Sequence, residues 1–89
     1  MAFKIIISPE ASREIDIATC YFKAIGFGEP FLKDFSNQIT FLETMPLSRQ
    51  FRYKQVRIHQ FDKFNYAIHY VVLDMEVRIL RILNQKQDF

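Results

Sequence analysis

Residues 56–83 read VRIHQFDKFNYAIHYVVLDMEVRILRIL, and this stretch decides the fold. Val56 and Ile58 alternate with Arg57 and His59, and Tyr66, Ile68, Tyr70 and Val72 alternate with Ala67, His69, Val71 and Leu73. A period of two is that of a β-strand, whose successive side chains point to opposite faces. Residues 62–65 (Asp-Lys-Phe-Asn) and Asp74-Met75-Glu76 carry the polar residues of turns. Val77 to Leu83 is apolar apart from Arg78 and Arg81, which suits a central strand covered on both sides. Three strands joined by short turns form an antiparallel meander. On this reading Tyr66, Ile68, Tyr70 and Val72 face the core. Arg57, His59, His69 and Arg81 project from the open face.

Upstream the period changes. Residues 3–7, FKIII, read as a short strand. Ser8-Pro9-Glu10 is a helix start: a capping hydroxyl, a proline suited to the first helical position, and an acid at the positive end of the helix dipole. Ala11, Ile15, Ala18, Phe22 and Ile25 then line one face of a helix. Gly26 supplies its left-handed terminator. Gly28-Glu29-Pro30 restarts a helix whose apolar stripe is Phe31, Phe35, Ile39, Leu42 and Met45, and Pro46 ends it. Leu47 to Lys54 reads as a basic connection anchored by Phe51 and Tyr53. The expectation is one α+β domain over residues 1–89, β-α-α-β-β-β, with a helix hairpin on one face of a mainly antiparallel sheet.

Composition narrows the class. The chain has 89 residues, 49% hydrophobic and 25% charged, the balance of a folded soluble domain rather than a disordered chain. Its single cysteine, Cys20, cannot form an internal disulfide, and beside the stripe of the first helix it reads as a small buried hydrophobe. The opening apolar run, Ile5 to Ile7, is too short for a secretory leader, and no stretch approaches the ~20 apolar residues of a membrane span. A cytoplasmic protein with no membrane contact is expected. The formal charge is +2. Residues 1–48 are acidic on balance (Lys4, Arg13, Lys23 and Lys33 against Glu10, Glu14, Asp16, Glu29, Asp34 and Glu43). Residues 49–89 are basic (Arg49, Arg52, Lys54, Arg57, Lys63, Arg78, Arg81 and Lys86 against Asp62, Asp74, Glu76 and Asp88). Such polarity suits an anionic partner for the second half, nucleic acid or an acidic protein.

Catalytic signatures are sparse. With Gly26 and Gly28 as the only glycines, there is no phosphate-cradling loop. His59 and His69 have no cysteine or carboxylate at ligand spacing, so neither metal nor cofactor is expected. Glu10, Glu14 and Asp16 are explained by dipole compensation. The basic set Arg57, His59, His69 and Arg81 is the one constellation with chemistry to offer. Arginine pairs with oxyanions through two parallel hydrogen bonds, and histidine carries protons near neutral pH.

The order of these segments resembles the RelE/ParE superfamily of type II toxin–antitoxin toxins, the plasmid stabilisation protein family. The resemblance runs through the opening strand with Ser8-Pro9-Glu10-Ala11, Gly28-Glu29-Pro30-Phe31-Leu32, and Met45-Pro46. It continues through Arg57 to Tyr70, with Asn65 where many members carry proline, and ends with Val77 to Lys86. It implies a small bacterial toxin of the same fold, held inactive by an acidic antitoxin encoded by a neighbouring gene. The ParE-like branch inhibits DNA gyrase through protein contacts. The RelE-like branch is an endoribonuclease that cleaves messenger RNA on the ribosome. Members of that branch place an arginine where Ala67 stands, another near Gln87, and in some cases a histidine at Asn84 and a tail tyrosine in place of Phe89. These departures favour the ParE-like reading, with target-binding residues Arg57, His69, Arg81, Asn84 and Lys86. The nuclease reading assigns catalysis to Arg57, His59 and Arg81. A non-toxic relative is the third possibility. Tyr21, Phe31 and Phe35 are the apolar residues expected to meet an antitoxin.

Overall fold

A computed structural model describes residues 2–85. Its elements are β1 (Lys4–Ile7), α1 (Pro9–Ala24), α2 (Gly28–Thr44), a single 3₁₀ turn (Pro46–Ser48), β2 (Phe51–Tyr53), β3 (Val56–Gln60), β4 (Tyr66–Leu73) and β5 (Glu76–Asn84). The sheet has the order β1-β5-β4-β3-β2, with β1 parallel to β5 and the other neighbours antiparallel. The α+β architecture, the helix hairpin and the β3–β4–β5 meander are as the sequence predicts. β2 is an addition within the segment read as a connection. It has three residues, all exposed, so no alternation of burial announces it.

Local chemistry accounts for the helix ends. The Ser8 side chain accepts the Ala11 N–H at 3.0 Å, with Pro9 at the first helical position. Gly26 stops α1 with a φ of +86°, a conformation that a Cβ penalises. The Phe27 N–H then reaches back to the Phe22 carbonyl at 2.7 Å. α2 follows so closely that a Cβ on Gly28 would lie 3.2 Å from the Lys23 Cα.

The helices cover one face of the sheet. Ala11, Ile15 and Ala18 of α1 and Phe31 and Leu42 of α2 are buried against Ile68, Tyr70, Val77, Ile79 and Ile82. Phe31 is the hub of the aromatic cluster. It stacks on Phe22 (4.6 Å between centroids) and Phe61 (5.6 Å), and meets Phe64 and Tyr66 edge-on. A side chain that is 0% exposed is core, so Phe31 cannot be the partner contact expected of it. Ile25 and Met45, the last members of the two stripes, are exposed because each lies beyond the end of its helix. Cys20 is exposed too, on the side of α1 away from Ala11, Ile15 and Ala18.

β5 combines two patterns. It lies inside the sheet, between β1 and β4, but only one of its faces meets helices. A bulge at Leu80 shifts the register, so that Ile79 faces Tyr70 and Arg81 faces His69. The bulge explains the unbroken apolar run that read as cover on both sides. β1 stops at Ile7 while β5 runs on to Asn84, and side chains take over the exposed edge. The Ser8 hydroxyl donates to the Leu80 carbonyl at 2.8 Å, and Glu14 Oε1 accepts the Ile82 N–H at 2.9 Å. Glu14 thus closes a strand edge, a role beyond dipole compensation.

Buried Tyr70 ties the sheet to the 3₁₀ turn. Its hydroxyl donates to the Pro46 carbonyl at 2.6 Å, and burial pushes its pKa up to about 12. Replacing Tyr70 by Phe leaves that carbonyl without a donor. The expected loss is about 1–3 kcal/mol, read as a lowered urea midpoint with an unchanged m-value.

Candidate functional site

Strand register decides which face each candidate residue occupies. β3 pairs with β4 so that Arg57 lies opposite Tyr70 and His59 opposite Ile68. Directly opposed residues share a face. Arg57 and His59 are therefore on the helix side, not on the open face where alternation with Val56 and Ile58 placed them. His69 lies opposite Ile58 and Arg81, on the open face. Asn84 lies opposite Tyr66, back on the helix side because of the bulge. Lys86 and Gln87 lie outside the described residues. The structure brings together Arg57 with His59, and His69 with Arg81, but does not assemble Arg57, His59 and Arg81 into one site.

On the helix side a chain of hydrogen bonds runs inward from the surface. The Arg49 Nε–H donates to His59 Nδ1 at 3.0 Å. That bond makes Nδ1 the acceptor, so the ring's proton is on Nε2, which donates to Gln38 Oε1 at 2.6 Å. Gln38 Nε2 then donates to Asp34 Oδ1 at 2.8 Å. Asp34 ends the chain, accepting the backbone N–H groups of Asp62 (3.2 Å), Lys63 (2.8 Å) and Phe64 (3.2 Å) from the β3–β4 turn. Asp34 and Gln38 are each 3% exposed, as is His59. The His59 ring also lies flat on Phe41, 4.6 Å between centroids and 2° from parallel. Arg49 sits 5.1 Å from the centre of the same Phe41 ring.

Electrostatics follow from this geometry. Burial pulls the His59 pKa down to about 4, the neighbouring Arg49 pulls the same way, and Asp62 and Asp34 oppose them weakly. His59 is neutral at physiological pH. Burial alone would raise the Asp34 pKa, but the hydrogen bonds from Lys63, Gln38, Asp62 and Phe64 together hold it below the ordinary carboxylate value.

On the open face the Tyr53 hydroxyl lies 3.0 Å from His69 Nδ1. His69 is 2% exposed, and burial lowers its pKa, with Arg81 and Arg52 adding to the effect and Glu14 opposing it. Arg81 donates to Glu14 Oε2 from Nε (2.8 Å) and from Nη2 (2.6 Å). Those bonds and the Glu14 charge raise its pKa. Sequence reasoning missed Tyr53, Arg49, Asp34 and Gln38. A signal existed for the last two, since both fall on the buried stripe of α2 between Phe31 and Leu42. Tyr53 gave none, because the short edge strand carries no periodicity, and Arg49 gave none, because it lies in the irregular link between the 3₁₀ turn and β2. A groove of about 600 Å³ between α1 and the β3–β4 turn is lined by Ile17, Tyr21, Phe22, Phe64, Tyr66 and Asn84. Tyr21 is exposed there, as a partner contact requires, and Phe35 is half-buried. Among the described residues no cluster of ligands could hold a metal ion, and no helix is long and apolar enough to cross a membrane.

Two predictions follow from the buried chain. Replacing Asp34 by Ala strands three turn N–H groups and the Gln38 amide, at a cost of about 3 kcal/mol or more in a urea unfolding series. The unfolded chain binds a proton at histidine near pH 6.5, whereas folded His59 does so only near 4. Stability therefore falls as pH drops from about 6.5 towards 4. The lowered Asp34 pKa acts in the same direction at lower pH, its stabilisation being lost as pH falls through the folded value. The urea midpoint should drop between about pH 7 and pH 5, and less steeply in His59→Phe than in the parent chain.

No family model matches the chain, and no curated protein does. Among solved structures it is similar to a chain of the "Chromosomal ParDE TA system from P. aeruginosa", with 19% sequence identity and a TM-score of 0.76. The match covers 92% of this chain and 95% of that one, so the two share one fold over nearly their whole lengths.

Proposed function

We propose that this chain is the toxin component of a bacterial type II toxin–antitoxin system. On this reading it acts in the cytoplasm, inhibits DNA gyrase through protein contacts in the ParE-like manner, and is held inactive by an acidic antitoxin. The observation that carries the reading is the full-length fold likeness to a chain of a ParDE system. Two features of the site agree with action by contact rather than by chemistry. His59, the histidine assigned to a nuclease mechanism, is buried, neutral and bonded on both ring nitrogens. Arg81, the arginine assigned with it, lies on the other face and is paired with Glu14. The proposed target contacts are exposed Arg81 on the open face and Arg57 and Asn84 on the helix side, with Lys86 outside the described residues; His69, 2% exposed, is too buried to touch a target directly.

One observation favours the alternative, a RelE-like ribosome-dependent endoribonuclease. Tyr53 and His69 form a hydroxyl–imidazole pair with Arg81 opposite His69, an arrangement able to move a proton beside a cation. Pulse labelling after induced expression in growing bacteria separates the two. Inhibition of gyrase predicts that DNA synthesis falls first and that Tyr53→Phe stays toxic. Cleavage of messenger RNA predicts that protein synthesis falls first and that Tyr53→Phe loses most of its effect, about 10²-fold or more in rate. A chain that slows neither process is a non-toxic relative.

A further inference from the structure

Arg49 is the surface end of the buried chain, and its surroundings fix it in one pose. Its Nε is committed to His59 and its face lies over Phe41, while its two Nη nitrogens have no partner among the described residues. Its carbonyl accepts a hydrogen bond from Arg57 Nη1, and the Arg57 guanidinium lies 4.3 Å over the ring of exposed Phe51. The Arg57 guanidinium is thus tied to the Arg49 backbone, and each of the two guanidinium groups rests on an aromatic ring. No carboxylate among the described residues forms an ion pair with either. Two shallow grooves of about 400 and 380 Å³ meet at this point, and Arg49 and Ile58 line both. Phe51 and Arg52 border one groove, Gln60 and Asp62 the other.

We infer that Arg49 is the contact residue of a docking surface for an acidic, partly apolar protein segment, and that Asp34, Gln38 and His59 are its positioning residues. A guanidinium whose Nε edge and face are taken offers its Nη end, which pairs with a single carboxylate. The apolar floor from Ile58 and Phe51 takes the partner's apolar side chains. Asp62 in the second groove opposes a run of phosphates but not isolated carboxylates spaced by apolar residues, which favours protein over nucleic acid. Holding the arginine in one pose removes the rotamer entropy that a free arginine loses on binding. The inference rests on the antitoxin reading for the identity of the partner, but not for the existence of the surface.

Titrating the full chain with a synthetic peptide of alternating Glu and Leu tests the surface directly. Arg49→Gln should bind about tenfold more weakly, and Arg49→Lys should recover only part of the loss, because an ammonium cannot both bond His59 and pair with a carboxylate. His59→Phe keeps the stack on Phe41 but removes the acceptor. It should weaken binding several-fold and abolish the slowly exchanging Arg49 Nε–H signal in NMR spectra, while circular dichroism confirms that the variant is folded. Parent-like peptide binding by Arg49→Gln overturns the surface, and an unchanged Nε–H signal in His59→Phe overturns the positioning role. A single-stranded oligonucleotide that competes for Arg49 more tightly than the peptide replaces the protein partner and overturns the assignment of class. Co-expression with the product of a neighbouring acidic gene separates this inference from the toxin reading. Peptide binding through Arg49 without capture of that product leaves the surface standing and removes the antitoxin. Capture undiminished by Arg49→Gln leaves the antitoxin and removes the surface.

Discussion

The buried carboxylate of Asp34 is the constraint on which the rest of the molecule depends. A charge in this position is tolerated only because four donors meet it, three of them backbone N–H groups of the β3–β4 turn. Those bonds bind α2 to the turn that joins two strands of the meander. They also fix the length and path of the turn, and so the register of β3 against β4. Since a one-residue slip in register moves every side chain of a strand to the other face, a single carboxylate on a helix determines which way Arg57 and His59 point.

From that anchor the polar chain has only one possible direction. Arg49 can donate but not accept, so His59 Nδ1 must accept. The imidazole must then donate through Nε2, and the Gln38 amide must be turned with its oxygen towards His59 and its nitrogen towards Asp34. Each group is satisfied by the next, which is why three polar side chains persist on the buried face of an otherwise apolar layer. Doubly protonated His59 would set an N–H against the Arg49 N–H. Burial is the main cause of the low His59 pKa, and the adjacent Arg49 charge adds to it.

The sequence makes the fold legible because its periodicities are clean. The stripes of α1 and α2, the capping Ser8, the left-handed Gly26 and the two turns of the meander all stand where local chemistry puts them. What it conceals is the orientation of β3. Val56 and Ile58 look like the core-facing residues and Arg57 and His59 like the solvated ones, yet Val56 is buried on the other face, beside β2, and His59 is buried against Phe41. The alternation is real, but which half of it faces the helices is settled by Asp34 and Gln38, far away in the chain. Two polar residues on a helical stripe are the sequence-level sign that a buried polar partner waits on the sheet. Read together with His59, they point to the chain that the pattern of β3 alone obscures.

Net charge is similarly redistributed by folding. The second half of the chain carries an excess of basic residues, but Arg81 is neutralised by Glu14 from the acidic first half, and Arg78 by Glu76 two residues away. Neither pair is deeply buried, so each contributes little stability, yet both remove a cation from the surface field. Arg49 and Arg57 differ. They are held by a neutral imidazole, a carbonyl and two aromatic rings, which orient a guanidinium without cancelling its charge. Although Asp62 lines the same groove as Arg49, it forms no ion pair with that arginine. The positive character read from composition as a property of half the chain is in the folded molecule focused on the β2–β3 edge. That is where an acidic partner gains most from approaching.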